Sequence, residues 1–201
     1  MGAAGTPDWV IREDASVPVL VALYLRQVLG VRAPDELSLL RGIEPHSPRR
    51  SERDQLQLEA QWSDYWAMTV EPRAHPSAVP LNLVPGFDSL VALPVEGAED
   101  LLAAITPYAA DAIDYASDMH RRYRRSIGSG VAYRAYAGAI AEHERRVGRR
   151  AHAFELNVQV LPLTQRGVWW IGSVTVAVTD GLRGDIAAFD SAINPIIAEL
   201  A

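Results

Sequence analysis

The sequence predicts an α+β fold, in which a small, mostly antiparallel sheet with a long C-terminal β-hairpin packs against several helices. Within residues 152–179, apolar and polar residues alternate on both sides of a turn, as in two paired strands with one apolar face. In residues 99–127 and 131–147, apolar residues recur at three- and four-residue spacing, as in amphipathic helices. We expect one domain over residues 1–201, with a proline-rich irregular connection at about 71–86.

The N-terminal part of the chain predicts a buried helix at residues 16–29. The segment is almost wholly apolar, Ser16 can cap it, and Pro18 lies in the first turn, where no backbone hydrogen bond is lost. A short helix is expected at residues 35–41, ending at Gly42. These elements predict a helical layer on the same core as the sheet.

Residues 51–70 fit two patterns. Four apolar residues alternate with polar ones, as in a strand: Leu56, Leu58, Ala60 and Trp62. Five residues follow helical spacing instead: Leu58, Trp62, Tyr65, Trp66 and Thr69. Ser51 followed by Asp54 resembles a capping box, which favours the helix. We therefore predict a helix, with a strand as the alternative.

The middle of the chain predicts an irregular stretch, a short strand and two helices. Four prolines interrupt residues 71–86, and residues 87–95 have the apolar pattern of a strand. A helix is expected over 99–127, and Pro107 should kink it or mark a new start. A Gly-Ser-Gly link then leads to a helix over 131–147. So short a link predicts that these two helices pack antiparallel to each other.

The C-terminal region carries the clearest alternation. Residues 154–160 and 170–178 each present one apolar face, and the turn at 164–167 predicts that they pair as a hairpin. A last amphipathic helix is expected at residues 185–200. Because an apolar sheet face must be covered, helices should pack on it.

The composition excludes several kinds of chemistry. The chain has no cysteine and no lysine, and all 19 of its basic residues are arginine. Without cysteine, thiolate chemistry and iron–sulfur clusters are excluded. Without lysine, Schiff bases and the P-loop lysine are excluded, and arginine cannot replace lysine in these roles because it does not deprotonate. We expect no cofactor. The lysine-free, arginine-rich composition also indicates a high-GC bacterial genome.

Motifs for catalysis or for membrane insertion are missing from the sequence. It contains no GxSxG, GxGxxG or HExxH pattern, so no catalytic residue is predicted and a non-enzymatic role is favoured. It has no apolar run of about 18 residues, and its first residues do not resemble a signal peptide. We expect a soluble, cytoplasmic protein without membrane contact.

Arginines concentrate in residues 119–150, where nine arginines stand against two glutamates although the whole chain has a net charge of −6. Antiparallel packing of the two helices would bring Arg134 near Arg124 and form a basic tip. The candidate anion-binding residues are Arg121, Arg122, Arg124, Arg125, Ser129 and Arg134. The alternative is that these arginines only stabilise a helix C-terminus or pair with acids elsewhere, as the helix dipole favours.

Acidic residues on the first of these helices suggest a metal site as a weaker hypothesis. Asp111, Asp114 and Asp118 share one face, and His143 on the second helix could complete the ligand set. The favoured interpretation is that the aspartates form salt bridges with nearby arginines. His143 and His120 both fall on apolar stripes, so we expect core histidines with a hydrogen-bond partner.

Adjacent tryptophans mark a candidate interface. Trp169 and Trp170 must point to opposite faces of a strand. One should enter the core, and we expect Trp169 to be covered by another element or by a partner protein, or to stay partly exposed.

Three functional classes follow from these observations. The first is a non-catalytic interaction or structural protein, with a protein partner or self-association. The second is binding of an anion or nucleic acid by the arginine-rich tip; nucleic acid is less favoured because the chain is acidic overall. The third is a metal-dependent hydrolase built on the acidic helix face.

Overall fold

The computed structural model describes residues 9–44, 50–127 and 131–201, with residues 131–133 described by their backbone alone. The strands are β1 (Trp9–Asp14), β2 (Leu81–Leu83), β3 (Ala92–Pro94), β4 (Phe154–Leu161), β5 (Val168–Trp170) and β6 (Thr175–Thr179). The helices are α1 (Val17–Leu29), α2 (Glu52–Val70), α3 (Glu99–Ile105), α4 (Ala109–Ser126), α5 (Val131–Val147), α6 (Asp180–Arg183) and α7 (Ile186–Leu200). The α+β class is confirmed.

Strands β1, β4, β6 and β5 form, in that order, a four-stranded mixed sheet. β1, β4 and β6 are parallel, whereas β5 pairs antiparallel with β6 at the edge. The long C-terminal hairpin predicted from the sequence does not form, because residues 171–174 divide its second strand and β6 enters between β4 and β5. Alternating apolar residues identify the buried face of a strand but not the direction of its neighbour, which explains the difference.

Strand β1, with the sequence WVIRED, was not predicted. Every second residue from Trp9 to Glu13 is half-buried, and the residues between them are exposed. Its parallel register places Glu13 beside Val158 of β4, so the Glu13 side chain projects from the same face of the sheet as the apolar residues of β4. A carboxylate thus lies near the carboxyl end of β1 and level with the middle of β4, at a position where the pattern leads one to expect an apolar residue.

Helix α1 confirms the buried helix predicted at residues 16–29. All residues from Val19 to Leu29 are buried, Pro18 lies in the first turn, and Gly30 ends the helix in the left-handed region with a φ of 68°. The short helix predicted at 35–41 is wrong. Its residues are instead held by side-chain and strand-like contacts: the side-chain oxygen of Gln27 accepts from the Leu40 N–H at 2.8 Å, and Leu40 bridges to Leu163.

Helix α2 confirms the helical choice for residues 51–70. The Ser51 hydroxyl accepts a hydrogen bond from the Asp54 N–H at 3.2 Å, as a helix cap does. Leu58 and Trp62 are buried on the core side, whereas Leu56 is exposed. The strand-like alternation was therefore produced by an apolar residue that faces outward.

The Glu71 carboxylate, just after α2, fixes the turn between β5 and β6. It accepts four hydrogen bonds of 2.9 Å, from the N–H and hydroxyl of Ser173, the Val174 N–H and the Thr175 hydroxyl. A Cβ at Gly172 would lie 2.4 Å from Glu71 Oε1, so this position requires glycine. Burial by itself raises the pKa of Glu71, but the hydrogen bonds outweigh burial and hold the pKa below its ordinary value.

Strands β2 and β3 form a separate two-stranded antiparallel sheet. β3 is the C-terminal part of the strand predicted at 87–95, and its partner β2 lies inside the connection predicted to be irregular. The prolines around β2 did not prevent this pairing, because it needs only three residues.

The helix predicted at 99–127 restarts near Pro107, as expected: α3 ends at Ile105, a 3-10 turn follows, and α4 begins at Ala109. α4 packs mainly on α1, and α5 packs mainly on α7. The antiparallel pairing predicted for α4 and α5 is thus replaced by packing on other helices. Their link at 128–130 lies outside the described residues. A short link permits two helices to pair, but the burial of each apolar stripe decides where each helix packs.

The buried apolar side chains form one continuous core that includes the sheet and the helices around it. β6 is buried along its whole length, which requires cover on both faces of the sheet. Among the helices of the described residues, none has both the length and the apolar character needed to cross a membrane.

Candidate functional site

A cleft of about 810 Å³ opens where β4 and β6 end, and we call it the carboxyl-edge cleft. Val160 and Pro162 contribute from the end of β4, and the segment 180–184 contributes from beyond β6. Arg41 and Gly42 form part of the rim. The carboxyl ends of neighbouring parallel strands are where open α/β sheets bind ligands, so this edge is the natural place to look for a site.

Helix α4 supplies one long wall of the cleft. Six of its residues line the cleft, and their three- and four-residue spacing places them on one helix face: Tyr115, Asp118, Met119, Arg122, Tyr123 and Ser126. Three side chains of α4 form hydrogen bonds with backbone carbonyls of the first 41 residues. Tyr115 Oη bonds the Arg41 carbonyl at 2.9 Å, His120 Nδ1 the Ala15 carbonyl at 2.8 Å, and Tyr123 Oη the Glu13 carbonyl at 3.0 Å. The expected hydrogen-bond partner of His120 is thus found.

Behind the cleft, Glu13 forms a buried ion pair with Arg183. The Arg183 Nε and Nη2 atoms lie 3.0 and 2.9 Å from Glu13 Oε1, and the two side chains are 11% and 12% exposed. Tyr136 Oη donates to Glu13 Oε2 at 2.8 Å, and the Arg183 guanidinium lies 6.0 Å from the Tyr123 ring centroid. The network fixes Arg183 at the wall of the cleft and neutralises its charge.

The tyrosines around this network resist ionisation. Burial, with a further contribution from the charge of Glu13, raises the pKa of Tyr123 and of Tyr136 above the ordinary value. Burial likewise raises the pKa of Tyr115 to about 12, although Arg41 and Arg122 act in the opposite direction. All three therefore stay neutral at physiological pH and can serve as walls and hydrogen-bond donors.

Arg122 differs from the other charged residues of the cleft. Arg41 pairs with Asp180, and Asp118 pairs with Arg121. Within the described ranges, Arg122 makes no hydrogen bond and no ion pair. Its guanidinium is thus available to a ligand.

The structure separates the six predicted anion-binding residues. Arg122 lines the cleft, whereas Arg121 pairs with Asp118, which is the salt bridge expected under the favoured interpretation of the acidic face. All five described arginines are exposed, but Arg124, Arg125 and Arg134 do not line the cleft. Ser129 lies outside the described residues.

The predicted metal ligands do not come together. No three histidine or carboxylate side chains in the parts of the chain that the structure describes lie close enough to hold a metal ion. Asp111, Asp114 and Asp118 lie on α4, whereas His143 is buried on α5, 3.4 Å from Arg146. The ligand set depended on antiparallel packing of the two helices, which is not observed.

Of the two tryptophans, Trp169 is partly exposed and covered by other elements, which is within the expectation, whereas Trp170 does not enter the core. Trp169 is half-buried and packs against the core, and its ring also leaves no room for a Cβ at Gly167. Trp170 is the more exposed of the pair, at 36%. Both tryptophans belong to β5, which is an edge strand of the sheet among the described strands.

Sequence reasoning missed most of the cleft. Arg41, Tyr115 and Arg183 were not selected, and Glu13 was not seen because β1 was not predicted. The available signal was the face of α4 that carries Tyr115, Met119 and Tyr123, but helical spacing alone does not distinguish a core stripe from the wall of a cleft.

Comparisons of the chain with protein-family models, with curated proteins and with solved structures gave no match. The function must therefore be argued from the geometry of the cleft.

Proposed function

We propose that this chain is a non-catalytic binding protein that holds a small anionic ligand in the carboxyl-edge cleft. The observation that carries the proposal is the position of Arg122, a cation without an ion-pair partner among the described residues, on the wall of a cleft at the ends of parallel strands. Arginine binds carboxylate or phosphate oxygens through its planar fork of N–H donors.

The rest of the lining supports binding over catalysis. The Ser126 hydroxyl donates to the Tyr123 carbonyl at 2.7 Å, so its proton is already engaged. The lining residues described for the cleft include no histidine that could activate a nucleophile. Asp118 and Asp180 are both engaged in ion pairs, with Arg121 and Arg41.

Titration calorimetry with a panel of small anions at low salt tests this proposal. Arg122→Gln should weaken binding roughly tenfold or more, because a charge-assisted hydrogen bond is lost. Arg124→Gln is the matched control, since Arg124 is exposed on the same helix but does not line the cleft. Equal loss in both variants, or no anion binding by the unaltered protein, would contradict the proposal.

The same pair of positions distinguishes a nucleic-acid partner. Arg124→Glu combined with Arg125→Glu should leave small-anion binding intact. If the double variant instead abolishes binding of a labelled oligonucleotide, and Arg122→Gln does not affect it, the exposed arginines are the site and the cleft proposal fails.

Self-association is a second candidate function, favoured by strand β2. All three residues of β2 are exposed, Leu83 at 62%, and the outer edge of β2 has no partner among the described strands. Leu81, Val95 and Leu102 extend the apolar surface. Pairing with β2 of a second copy, related by a twofold axis, would satisfy the open backbone groups and cover these apolar side chains.

Light scattering tests self-association with a matched pair of variants. Leu83→Glu should reduce a dimer to a monomer, because it would place a charge within the apolar surface that the two copies cover. Leu56→Glu is the control, since Leu56 is equally exposed, at 62%, but lies on α2. A monomeric unaltered protein at micromolar concentration, or equal effects of both changes, would rule out the β2 interface.

A further inference from the structure

The charges around the carboxyl-edge cleft balance except for one. Three ion pairs compensate the other charged groups of the lining: Arg41 with Asp180, Asp118 with Arg121, and Arg183 with Glu13. Only Arg122, among the described lining residues, keeps an uncompensated charge. The cleft therefore matches a ligand with a single negative charge.

The surface next to Arg122 is largely apolar. Met119 lies three residues before Arg122, on the same face of α4. Tyr115 and Tyr123 lie one helical turn before and after Met119 on that face. Val160 and Pro162, both buried, continue this surface at the end of β4. A ligand with an apolar body would cover the exposed parts of the half-buried Met119 and Tyr115, whereas a fully hydrated small ion would leave them in contact with water.

We propose that the carboxyl-edge cleft binds a monocarboxylate with an apolar or aromatic body, with the carboxylate on Arg122 and the body against Met119 and Tyr115. The inference rests on the proposed anion-binding function and makes it specific. A carboxylate has one charge and matches the guanidinium fork. A phosphate monoester has about −1.5 to −2 charges at neutral pH, so part of its charge would enter the cleft without a counter-ion.

The volume of the cleft agrees with such a ligand. Small-molecule sites commonly have volumes of roughly 300–1,000 Å³ and are mostly apolar, with a few polar groups that orient the ligand. At about 810 Å³, the cleft has room for a ring or short acyl chain together with its carboxylate. Tyr115, whose hydroxyl is engaged by the Arg41 carbonyl, presents its ring as a fixed wall.

Four probes in titration calorimetry test the inference on the full chain: 3-phenylpropanoate, its uncharged amide 3-phenylpropanamide, acetate and 2-phenylethyl phosphate. We expect 3-phenylpropanoate to bind at least about tenfold more tightly than each of the other three, because only it combines one charge with an apolar body.

Two variants assign the two halves of the ligand. Arg122→Gln should weaken 3-phenylpropanoate binding by roughly tenfold or more and leave the amide unchanged. Met119→Gln should weaken 3-phenylpropanoate roughly tenfold and leave acetate unchanged, because the apolar contact is lost. Arg124→Gln should affect none of the probes.

The outcomes separate the inference from the function on which it rests. Tighter binding of 2-phenylethyl phosphate than of 3-phenylpropanoate, still dependent on Arg122, would overturn the monocarboxylate inference and retain anion binding. Equal binding of the amide and the carboxylate would overturn both, as would binding of none of the anions.

Discussion

Two glutamates, the buried Glu71 and the half-buried Glu13, hold different parts of the molecule together. Glu71 is held by four neutral donors at the turn before β6, and the turn is closed around it, since Gly172 leaves no space for a methyl group. Glu13 is held by a charged donor, Arg183, and by Tyr136, and Arg183 faces a cleft. In this chain, neutral donors surround the glutamate that anchors a turn, whereas a charged donor holds the glutamate behind the proposed binding cleft.

The two carboxylates interact with opposite faces of the sheet. The register places Glu13 level with Val158 and Val176, whereas Glu71 binds the hydroxyl of Thr175, whose side chain projects from the other face. Strand β4 also separates β1 from β6, which at about 4.8 Å per strand is roughly 10 Å, at the limit of the range over which substitutions usually couple. Changes at one glutamate should therefore leave the properties of the other region intact.

The largest effect is expected from Glu71→Ala. It leaves four donors without their acceptor, including the buried Thr175 hydroxyl, and should lower the free energy of unfolding by roughly 3–4 kcal/mol. Urea unfolding measures the loss, and titration with 3-phenylpropanoate should show unchanged affinity in the folded variant. A loss below about 1 kcal/mol would contradict the anchoring role.

Gly172→Ala should cost roughly 2–3 kcal/mol, because the new methyl group would displace the Glu71 carboxylate from its hydrogen bonds. In a Glu71→Ala background the same change should cost less than about 1 kcal/mol, since the obstacle is gone. A double-mutant cycle in urea measures this coupling. Additive effects would show that the glycine is needed for another reason.

Glu13→Gln should have a smaller effect on stability, roughly 1–2 kcal/mol, because the amide keeps an acceptor for Tyr136 while Arg183 borders a cleft that water can enter. Its clearer effect is on binding. With Arg183 no longer neutralised, the cleft holds a second free cation, so affinity for 2-phenylethyl phosphate should rise relative to that for 3-phenylpropanoate. An unchanged preference would argue against charge balance as the basis of selectivity.

The smallest expected effect, and the sharpest contrast, is in pH dependence. The folded state holds the pKa of Glu71 below 4.5, so its contribution to stability is full above pH 4.5 and is lost as the pH falls through the folded pKa. The pKa of Tyr136 is raised above 10.0, so its contribution is full below pH 10 and is lost as the pH rises further.

The free energy of unfolding, measured as a function of pH, has an acid limb and an alkaline limb, and one variant tests each limb. Glu71→Gln should flatten the acid limb alone, and Tyr136→Phe the alkaline limb alone. If either variant changed both limbs, the two regions would be coupled and the comparison between them would fail.

Much of the fold was predictable because local pattern decided it. The apolar run of α1, the Ser51 cap of α2 and the restart near Pro107 each depend on residues close together in the chain, and all three are confirmed. Strand β1 was missed because only every second one of its residues is half-buried and three of its six residues are charged. The short helix at 35–41 failed because the side chain of Gln27, distant in sequence, holds that segment.

The candidate site was predictable only in part. Arg122 was selected from the arginine cluster, but the sequence offers no means of separating it from Arg121, one residue earlier, which the structure pairs with Asp118. Which arginine is neutralised depends on the exact direction of each side chain and on acids brought close by folding. The metal hypothesis failed for a related reason, since it required a helix pairing that the core does not favour.

By itself, the sequence determined the α+β class, the excluded thiol and lysine chemistry, and the positions of most helices, because composition and periodicity are local properties. Tertiary structure alone decided that β6 enters between β4 and β5, parallel to β4. That placement brings three parallel strands to one edge, sets Arg183 against Glu13, and opens the cleft. The physical reason is that a strand pattern specifies which face is buried, whereas direction and neighbour follow from packing of the whole core.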